Sequence, residues 1–538
     1  MPSRRALAGV VGVVATAAVA ATPVAGLSPA GRYALATMVF AGVFWLTEAL
    51  PLPVTALCVP LLLTALGVFP TVGGAVAGFA DPVIFLLFAG FTLAAALQKY
   101  GIDRRVALGI VAAVGTSPKR LVLAVMVATA LLSMLVSNTA TAAMMAPVAL
   151  GVAGQAVGRD VGHLARRDST PGAVEGPRAD AEVGDGATAA PPRDPADYSN
   201  LEIATLLGVA YAASIGGVGT VIGSPPNAIV VSAVERTLGV SIGFVGWMIV
   251  GVPLVVVCLP LAWYLLAVRI YPPAVEDVSA ARDQAREARR AAGDLPDRGR
   301  RVVVVTAATA LLWLLGGLEG LLAPRLPPRV ATTLFGGPGP SLVGAGAHQG
   351  LLYFVVVGLL AVVALFATRT LEWEDVEGID WGTLLLLGGG LSLANALAET
   401  DATAWLADVV LGALAGVPAL VLVLGLVVVT VGLGELASNT AMAAILAPLL
   451  LEAGPRYAGT LGVGDEAAAV FLTVVVGAAA SFGFALPVAT PPNAIVFGTG
   501  RMDKDHMLRA GAVLDAVMAV VVTLVLLGVF RTVWWLVV

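Results

Sequence analysis

The sequence is dominated by long stretches without charged side chains. Residues 121–153 contain no Asp, Glu, Lys or Arg, and comparable apolar runs recur from one end of the 538-residue chain to the other. A helix crosses the hydrocarbon core of a bilayer with about 20 apolar residues, which is close to the length of many of these runs. Hydrophobic residues make up 59% of the chain and charged residues 12%, about half the charged share of a soluble protein. We therefore predict an all-α polytopic membrane protein.

The apolar runs predict about 11 transmembrane helices. The candidate spans are 8–26, 33–50, 52–69, 82–97, 121–153, 201–234, 242–268, 302–318, 350–367, 382–398, 417–453, 467–498 and 511–530. The runs at 121–153 and 417–453 leave room for a chain that enters the bilayer, turns and leaves by the same face. We expect these two runs to form opposed re-entrant hairpins and each of the others to cross once.

Two short polar motifs lie inside these runs, and each occurs twice. Ser-Asn-Thr occurs at 137–139 and again, 301 residues later, at 438–440. Pro-Pro-Asn occurs at 225–227 and again, 266 residues later, at 491–493. The smaller second offset is explained by a polar segment, 154–200, that lies between the two motifs of the first half. The chain therefore contains an internal repeat with an insertion in its first copy.

The proline pairs predict broken helices. Two consecutive prolines lack backbone N–H donors and cannot continue a helix, so the runs 201–234 and 467–498 should each break near their prolines. Irregular backbone at membrane depth survives only where it is buried in protein or lines a cavity. Broken helices at corresponding places of two repeats are typical of the binding site of a secondary transporter. A single Ser-Asn-Thr would be explained better as a contact between helices, but its repetition beside each break favours a binding site.

The positions of Lys and Arg predict the orientation. With eleven crossings and the N-terminus in the cytoplasm, six of the 30 basic residues fall outside, namely Arg32, Arg236, Arg325, Arg329, Arg456 and Arg531. The basic pair Arg4 and Arg5 then precedes a first membrane helix, which we favour over a cleaved signal peptide. The C-terminus lies outside in this arrangement, and the protein is expected in the cytoplasmic membrane.

This arrangement divides the chain into four parts. An N-terminal extra helix occupies 1–30, and the first repeat occupies 31–270 with a polar cytoplasmic insertion at 154–200. A charged cytoplasmic linker, expected to include a short helix, occupies 271–301, and the second repeat occupies 302–538. Each repeat crosses the membrane five times, an odd number, so the two repeats are expected to be inverted relative to each other.

The chemistry of the repeated motifs favours transport of an anion together with cations. Hydroxyl groups, carboxamides and freed carbonyls offer neutral oxygen ligands to a monovalent cation, while N–H and O–H donors suit a carboxylate. The four runs that carry the motifs (121–153, 201–234, 417–453 and 467–498) contain no Lys or Arg. A multivalent anion at membrane depth needs its charge compensated, and cations bound beside it would do that.

These residues are those of a known family. The chain resembles the divalent anion/sodium symporters, which carry dicarboxylates, citrate or sulfate. The matching stretches follow the family order over nearly the whole chain: "TEALPLPVTAL" (47–57), "ADPVIFLLFAGFTLAAALQKYGIDRRVAL" (80–108), "SMLVSNTATAAMMAP" (133–147), "GSPPNAIV" (223–230), "WGTLLLLGGGLSLANAL" (381–397), "SNTAMAAILAP" (438–448) and "LPVATPPNAIVFG" (486–498). The resemblance implies alternating access with co-transported sodium, and a homodimer in membrane lipid.

The resemblance also implies two sodium sites and one substrate site. The first sodium site would use Ser133, Ser137, Asn138 and Gly223, and the second would use Ala437, Asn439 and Ala489. The substrate site would use Asn138, Thr139, Ser224, Pro225, Ser438, Asn439, Thr440, Thr490 and Pro491.

Two departures from the family pattern affect these sites. Gly434 stands where relatives often carry Thr, which removes a hydroxyl ligand from the second cation site. Ser224 stands where Thr is common before the proline pair, and it keeps the hydroxyl. Glu435, an ionisable residue in an apolar run, is either a functional group or a buried structural carboxylate.

Other function classes fit the sequence less well. The chain has no phosphate-binding loop of the type GxxxxGK[ST], which argues against an ATP-driven pump. Its three histidines lie outside the apolar runs, so we predict that it is not an enzyme. The two Ser-Asn-Thr motifs favour a C4-dicarboxylate such as succinate, malate or fumarate. A sodium-independent exchanger of dicarboxylate or citrate and a sulfate symporter stay as alternatives.

Overall fold

A computed structural model of the chain describes residues 4–113, 117–156, 199–344, 348–411, 416–436 and 438–537. The described chain is almost entirely helical. The helices before the charged linker, together with the linker helix, are α1 (Arg4–Ala21), α2 (Pro29–Thr47), α3 (Leu52–Ala65), α4 (Val72–Ala75), α5 (Pro82–Lys99), α6 (Ile102–Ala113), α7 (Pro118–Ser133), α8 (Asn138–Ala156), α9 (Asn200–Gly217), α10 (Pro225–Leu238), α11 (Phe244–Tyr264) and α12 (Ser279–Ala291).

The second part of the chain is built in the same way. Its helices are α13 (Asp297–Gly316), α14 (Glu319–Leu322), α15 (Pro328–Phe335), α16 (Phe354–Ala367), α17 (Glu374–Glu377), α18 (Trp381–Glu399), α19 (Ala402–Leu411), α20 (Ala419–Gly434), α21 (Asn439–Ala453), α22 (Ala458–Leu461), α23 (Asp465–Ala479), α24 (Pro491–Gly498) and α25 (Lys504–Thr532). A π-helical turn, Leu265–Ile270, extends α11. Two short antiparallel strands, β1 (Gly336–Gly337) and β2 (His348–Gln349), pair Gly336 with Gln349.

The order of elements occurs twice. In each half a long helix and a short one (α5 and α6, then α18 and α19) precede a pair of helices joined by four residues. That pair (α7 and α8, then α20 and α21) is followed by an interrupted helix (α9 and α10, then α23 and α24) and a last long helix (α11, then α25). The sequence repeat therefore corresponds to a repeat of helices.

The predicted hairpins are pairs of helices with short connections. Residues 134–137 join α7 to α8, and residues 435–438 join α20 to α21. Both helices of the first pair pack against α9, and both helices of the second pack against α23. The Ser-Asn-Thr motifs lie where the second helix of each pair begins.

The first helix of each interrupted pair, α9 or α23, is buried in the core. Every described position of α9 from Leu201 to Gly217 is buried, and α23 is buried from Ala468 onward. These two helices therefore face neither solvent nor lipid along most of their length, and other helices surround them. Large aromatic side chains, among them Tyr211, Trp247 and Phe482, fill the space around the two helices.

Helix length confirms only part of the predicted set of spans. Among the described residues, six helices are long and apolar enough to cross a bilayer (α2, α5, α11 with its extension, α13, α18 and α25), or up to seven if the strongly bent segment from α21 to α23 counts as one span. The apolar helices α1, α3, α16 and α20 are shorter. The count of eleven therefore stays a prediction.

The structure describes the charged linker but little of the predicted polar insertion. The predicted insertion 154–200 falls largely outside the described residues, and α8 extends into its first positions. The charged linker contains a helix as predicted, α12, which packs against α6 and α8. Arg105 at the start of α6 donates two hydrogen bonds to the end of that linker helix, to the carbonyls of Ala292 and Gly293.

The predicted inversion can be tested by labelling two exposed positions. Glu287 on α12 and Val343 beyond α15 are both solvent-exposed, and α13 lies between them. Single cysteines there, in a chain with Cys58 and Cys258 replaced by alanine, should react with a membrane-impermeant maleimide from opposite faces. Glu287→Cys should react only from the cytoplasmic face, and Val343→Cys only from outside. Labelling of both from one face would contradict the predicted topology.

Candidate functional site

The first helix break spans seven buried residues. Helix α9 ends at Gly217 and α10 begins at Pro225, so the proline pair starts the second helix and does not terminate the first. Proline is favoured at the first position of a helix, where its missing N–H would have no intrahelical partner. Residues 218–224 are all buried, which is the protein-lined setting that broken backbone requires at membrane depth.

The second break has the same construction and more contact with solvent. Helix α23 ends at Ala479 and α24 begins at Pro491. Thr490 caps α24, because its hydroxyl accepts from the Asn493 backbone N–H at 3.3 Å. Ala489 is 3% exposed, whereas the neighbouring Val488 is 77% exposed. The second break is thus open on one side, where the first is closed.

The two asparagines of the Pro-Pro-Asn motifs make matching contacts. The Asn227 side-chain nitrogen donates to the Gly217 carbonyl at 2.9 Å and to the Thr220 carbonyl at 2.8 Å. The Asn493 nitrogen donates to the Gly483 carbonyl at 3.2 Å and to the Leu486 carbonyl at 3.0 Å. In each half the accepting residues lie ten and seven positions before the asparagine. We call each of these arrangements an asparagine bridge.

Three residues predicted for the first sodium site lie together. The Asn138 carboxamide, oriented so that its nitrogen meets acceptors, donates to the Ser133 hydroxyl at 2.7 Å and to the Gly223 carbonyl at 3.0 Å. The Ala213 carbonyl oxygen lies 2.9 Å from the same nitrogen, whose two hydrogens are shared among the three oxygens, and it accepts from the Ser133 hydroxyl as well. Three oxygens from α7, α9 and the first break therefore converge on one carboxamide.

Glycine allows this close approach. A Cβ atom on Gly217 would overlap the Asn138 carboxamide, and a Cβ atom on Gly223 would lie 2.6 Å from the Gly217 carbonyl oxygen. Both contacts are shorter than any real Cβ atom tolerates, so the cluster depends on glycine at both positions.

The other residues of the first triplet have different surroundings. Ser137 is half-buried, and its hydroxyl accepts from the Ala140 backbone N–H at 3.3 Å, as a residue that caps α8 does. Thr139 is exposed and lies in the first turn of α8. Of the four residues predicted for the first sodium site, Ser137 is the one whose hydroxyl is engaged in helix capping.

The second triplet is arranged less compactly. The Ser438 hydroxyl caps α21 by accepting from the Ala441 N–H at 3.5 Å, and Thr440 is half-buried behind it. The Asn439 side-chain oxygen is buried without a hydrogen-bond partner among the described residues. A Cβ atom on Gly434 would lie 3.0 Å from that oxygen, so a larger side chain at position 434 would contact it. Ala437, predicted for the second sodium site, lies outside the described residues.

Glu435 connects the second triplet to the second break. Its carboxylate accepts from the backbone N–H of Ala485 at 2.9 Å and of Leu486 at 2.7 Å. Asp515, on α25, accepts from the backbone N–H of the preceding residue, Phe484, at 3.0 Å. We call these two residues the carboxyl pair. They hold three consecutive N–H groups of the second break beside the second triplet.

The two members of the carboxyl pair lie side by side, because they accept from the adjacent N–H groups of Phe484 and Ala485. The buried Tyr211 hydroxyl donates to the Phe484 carbonyl at 3.0 Å and completes the hydrogen bonding of the same segment.

The corresponding place in the first half has no carboxyl group. Met134 lies 301 residues before Glu435, and its backbone carbonyl accepts from the Thr220 hydroxyl of the first break. The Trp247 indole donates to the Val218 carbonyl at 2.8 Å. Neutral donors therefore hold the first break, and carboxyl groups hold the second.

The two halves meet at the breaks. The Ser224 hydroxyl, predicted to touch substrate, lies 3.2 Å from the hydroxyl of Ser481 in the second break. Helix α10 packs against α21 and α23, and α24 packs against α8 and α9. Each helix that begins with a proline pair therefore lies against the opposite half.

Two cavities lie at the far end of α10. One, of about 140 Å³, is lined by Asp81, Glu235, Arg236 and Tyr353, and Arg236 contacts Asp81 at 3.3 Å. The other, of about 270 Å³, lies between α10, α18, α19 and α21 and is lined by Arg236, Asn395, Glu399 and Glu452. None of the residues predicted for substrate or sodium lines either cavity.

The residues at the breaks suit a monovalent cation better than a transition metal. Among the described residues, no group of three or more His, Cys, Asp or Glu side chains could hold a metal ion. Around Asn138 the converging oxygens are one hydroxyl and two carbonyls, and such oxygens beside broken helices coordinate sodium in transporters. They face the Asn138 side-chain nitrogen here, so a sodium ion would bind them once the carboxamide turned its oxygen toward them. The cluster around the second triplet offers one such oxygen, the side-chain oxygen of Asn439, which has no hydrogen-bond partner among the described residues.

Several of these contacts could not be read from the sequence. Ala213 contributes only a carbonyl, and an alanine in an apolar run gives no signal. Ser481 is one of several small residues between α23 and the second proline pair. Asp515 did give a signal, since it is a lone acidic residue in the predicted span 511–530, and an ionisable residue there is a functional candidate.

Comparison with known proteins agrees with this description. The family model described as "Sodium:sulfate symporter transmembrane region" matches residues 4–538. An uncharacterized transporter of Haemophilus influenzae is 34% identical over 92% of this chain and 91% of its own length. A sodium-dependent dicarboxylate transporter, SdcS, of Staphylococcus saprophyticus is 31% identical over 93% of this chain and 86% of its own. The SdcS protein of Staphylococcus aureus is 28% identical over 92% of this chain and 85% of its own.

A solved structure shares the fold. The YdaH transporter of Alcanivorax borkumensis superposes with a TM-score of 0.53 at 17% identity, covering 86% of this chain and 89% of the other. At this identity the likeness concerns the fold alone.

Proposed function

Since the chain belongs to the sodium:sulfate symporter family of membrane transporters, we propose that it carries a C4-dicarboxylate across the membrane together with sodium ions. The proposal includes alternating access between two inverted halves. Succinate, malate and fumarate are the substrates proposed. The relatives named as sodium-dependent dicarboxylate transporters support this choice over sulfate.

The convergence of neutral oxygens on Asn138 is the observation that carries the proposal. The Ser133 hydroxyl and the carbonyls of Ala213 and Gly223 surround one carboxamide, and no basic side chain occurs in the runs that carry the motifs. A dianion bound there would lack a fixed positive partner. Sodium ions bound to these oxygens would supply the compensating charge.

Residue roles follow from this arrangement. The first sodium ion is assigned to Ser133, Asn138, Gly223 and the Ala213 carbonyl, with Ser137 at the helix cap, and the second to Ala437, Asn439 and Ala489. The substrate is assigned to the two triplets, through Asn138, Thr139, Ser438, Asn439 and Thr440, and to the breaks, through Ser224, Pro225, Thr490 and Pro491. The donor groups of the triplets would bind the two carboxylates of one substrate from opposite sides.

A second candidate function is exchange of one dicarboxylate for another without sodium. Gly434 favours it, because the second cation site lacks the hydroxyl that Thr would add there. The placement of Glu435 disfavours it, since a carboxyl group beside the substrate site adds negative charge that a cation would balance.

Uptake into proteoliposomes separates the two functions. Radiolabelled succinate should enter vesicles containing the purified protein when sodium is present outside, and uptake should fall to the level of empty vesicles when choline replaces sodium. If more than two sodium ions accompany each dianion, a negative-inside membrane potential should accelerate uptake.

Preloaded vesicles provide the control. Equal uptake in choline and sodium, with strong stimulation by succinate inside the vesicles, would establish exchange and contradict symport. Sulfate and citrate, added in excess as competitors, test the substrate class, and suppression of uptake by sulfate alone would contradict the dicarboxylate assignment.

A further inference from the structure

The asparagine bridges are built identically although their surroundings differ. Asn227 and Asn493 are both fully buried, at the third position of the helix that each proline pair begins. Each side-chain nitrogen donates to two carbonyls, ten and seven residues earlier. The acceptor ten residues earlier is a glycine in both halves (Gly217 and Gly483), whereas the acceptor seven residues earlier is Thr220 in one half and Leu486 in the other, so the geometry is kept where the sequence differs.

Each bridge fastens the two sides of a break to each other. In the first half, Gly217 is the last residue of α9, so its carbonyl has no intrahelical partner. Asn227 satisfies that carbonyl from the first turn of α10, together with the Thr220 carbonyl in the break itself. Without the bridge, two buried carbonyls in one half would lose the donor that the asparagine supplies, and the spacing of the two helix ends would be less restricted.

Each bridge also lies against a proposed sodium site. The Gly217 carbonyl oxygen lies 2.6 Å from the place that a Cβ atom of Gly223 would occupy, and the Ser133 carbonyl oxygen lies 2.9 Å from the same place. In the second half, a Cβ atom built on Gly483, whose carbonyl accepts from Asn493, would lie 3.4 Å from Ala489 Cβ and 3.2 Å from a Glu435 carboxylate oxygen. A displaced bridge would therefore move ligands of the cation site in its own half.

The side-chain oxygen of each asparagine is buried without a hydrogen bond from the described part of the chain, which lowers the stability of the fold. Among the described residues, neither the Asn227 nor the Asn493 side-chain oxygen has a hydrogen-bond partner. A buried unpaired acceptor typically costs ~1–3 kcal/mol. The same unpaired oxygen occurs in both halves, which suggests that the position requires the two donors of a carboxamide.

We propose that Asn227 and Asn493 are positioning residues for cation binding, each fixing the helix break that presents ligands to the sodium ion of its own half. The proposal rests on the function proposed above and assigns these asparagines no contact with substrate. Because the bridges lie in different halves and share no accepting residue, their contributions are independent.

The test compares two dependences of succinate uptake. In Asn227→Ala and in Asn493→Ala, the sodium concentration for half-maximal uptake should rise about tenfold, the effect of one net hydrogen bond lost from the bound state. The KM for succinate, measured at saturating sodium, should change less than twofold. In the double variant the two increases should multiply, because the two bridges share no accepting residue.

Isosteric and matched variants separate positioning from folding. Asn227→Leu and Asn493→Leu keep the branched side-chain shape but remove both donors without adding a charge, so they should raise the sodium requirement as the alanine variants do. Thr205→Val on α9 and Thr473→Val on α23 remove buried hydroxyl bonds, to the carbonyls of Leu201 and Ala469, away from the breaks. These two controls should lower thermal stability at most and leave the sodium dependence unchanged.

The outcomes distinguish this inference from the proposed function. If uptake by the wild-type protein does not depend on sodium, the proposed function itself is wrong, whatever the variants show. If wild-type uptake requires sodium but the asparagine variants, normalised to folded protein, match the threonine controls, the bridges are structural only and the positioning role is wrong. A raised KM for succinate with an unchanged sodium requirement would contradict it as well.

Discussion

Replacing Asn138 or Asn439 with alanine is expected to weaken succinate affinity about 10- to 150-fold and to weaken sodium affinity with it. Each carboxamide has one donor group suited to a carboxylate and one oxygen suited to a cation, so alanine removes both at one triplet. A hydrogen bond to a charged group contributes ~1.5–3 kcal/mol, which corresponds to this range. Because affinities for two ligands that share a site are linked, the sodium requirement should rise in the same variant.

The control for this prediction uses two hydroxyls of the same helix pairs. Thr129 on α7 and Thr430 on α20 are 301 residues apart, like the triplets, and each donates to a carbonyl one turn earlier. Thr129→Val and Thr430→Val should leave both affinities within about twofold of wild type. If the asparagines only hold helices together, their variants should show lower thermal stability with near-normal constants in the folded fraction. That result would mean that the site assignment is wrong.

Replacing Glu435 with alanine is expected to abolish most sodium-dependent uptake at low sodium. The substitution leaves the N–H groups of Ala485 and Leu486 without their acceptor and separates the second triplet from the second break. Glu435 is half-buried, so water replaces part of the loss, and we expect a total cost of about 1–3 kcal/mol. The sodium concentration for half-maximal uptake should therefore rise about 5- to 150-fold.

Three further variants identify the cause of that loss. Glu435→Gln keeps one acceptor oxygen and can donate to Asp515, so it should lie between wild type and Glu435→Ala. Asp515→Asn removes the other carboxyl group and should have the smaller effect, since Asp515 holds one N–H group where Glu435 holds two. Met134→Leu changes the corresponding position of the first half and should leave sodium dependence near normal. Equal effects of Glu435→Ala and Met134→Leu would contradict a role specific to the carboxylate.

The sequence predicts the existence of the breaks and hairpins because their signals are local. Proline pairs cannot continue a helix, and a run such as 417–453 is too long for one crossing. It does not predict where the first helix of each broken pair ends. Gly217 and Ala479 end these helices well before the prolines, since the polar contacts that replace the helical bonds come from distant residues such as Asn227, Trp247 and Asp515.

The composition of the site is predictable only where a side chain provides the ligand. Asn138 and Ser133 stand out as polar residues in an apolar run, and the structure brings them together with Gly223. The Ala213 carbonyl joins them through the packing of α9 against α7, which no local pattern encodes. Helix lengths are similarly determined by tertiary packing: the predicted span 350–367 begins four residues late, at Phe354, because the N–H groups of Leu351 and Leu352 bond to the distant carbonyls of Thr333 and Leu334.

The different connections of the two breaks have a consequence for experiments on the whole cycle. In the second half a side chain of the hairpin, that of Glu435, accepts from the backbone of the break, whereas in the first half a side chain of the break, that of Thr220, donates to the hairpin backbone at Met134. A substitution in the hairpin therefore disconnects the second half, and a substitution in the break disconnects the first. Glu435→Ala and Thr220→Val, compared in one uptake assay, then report on the two halves separately.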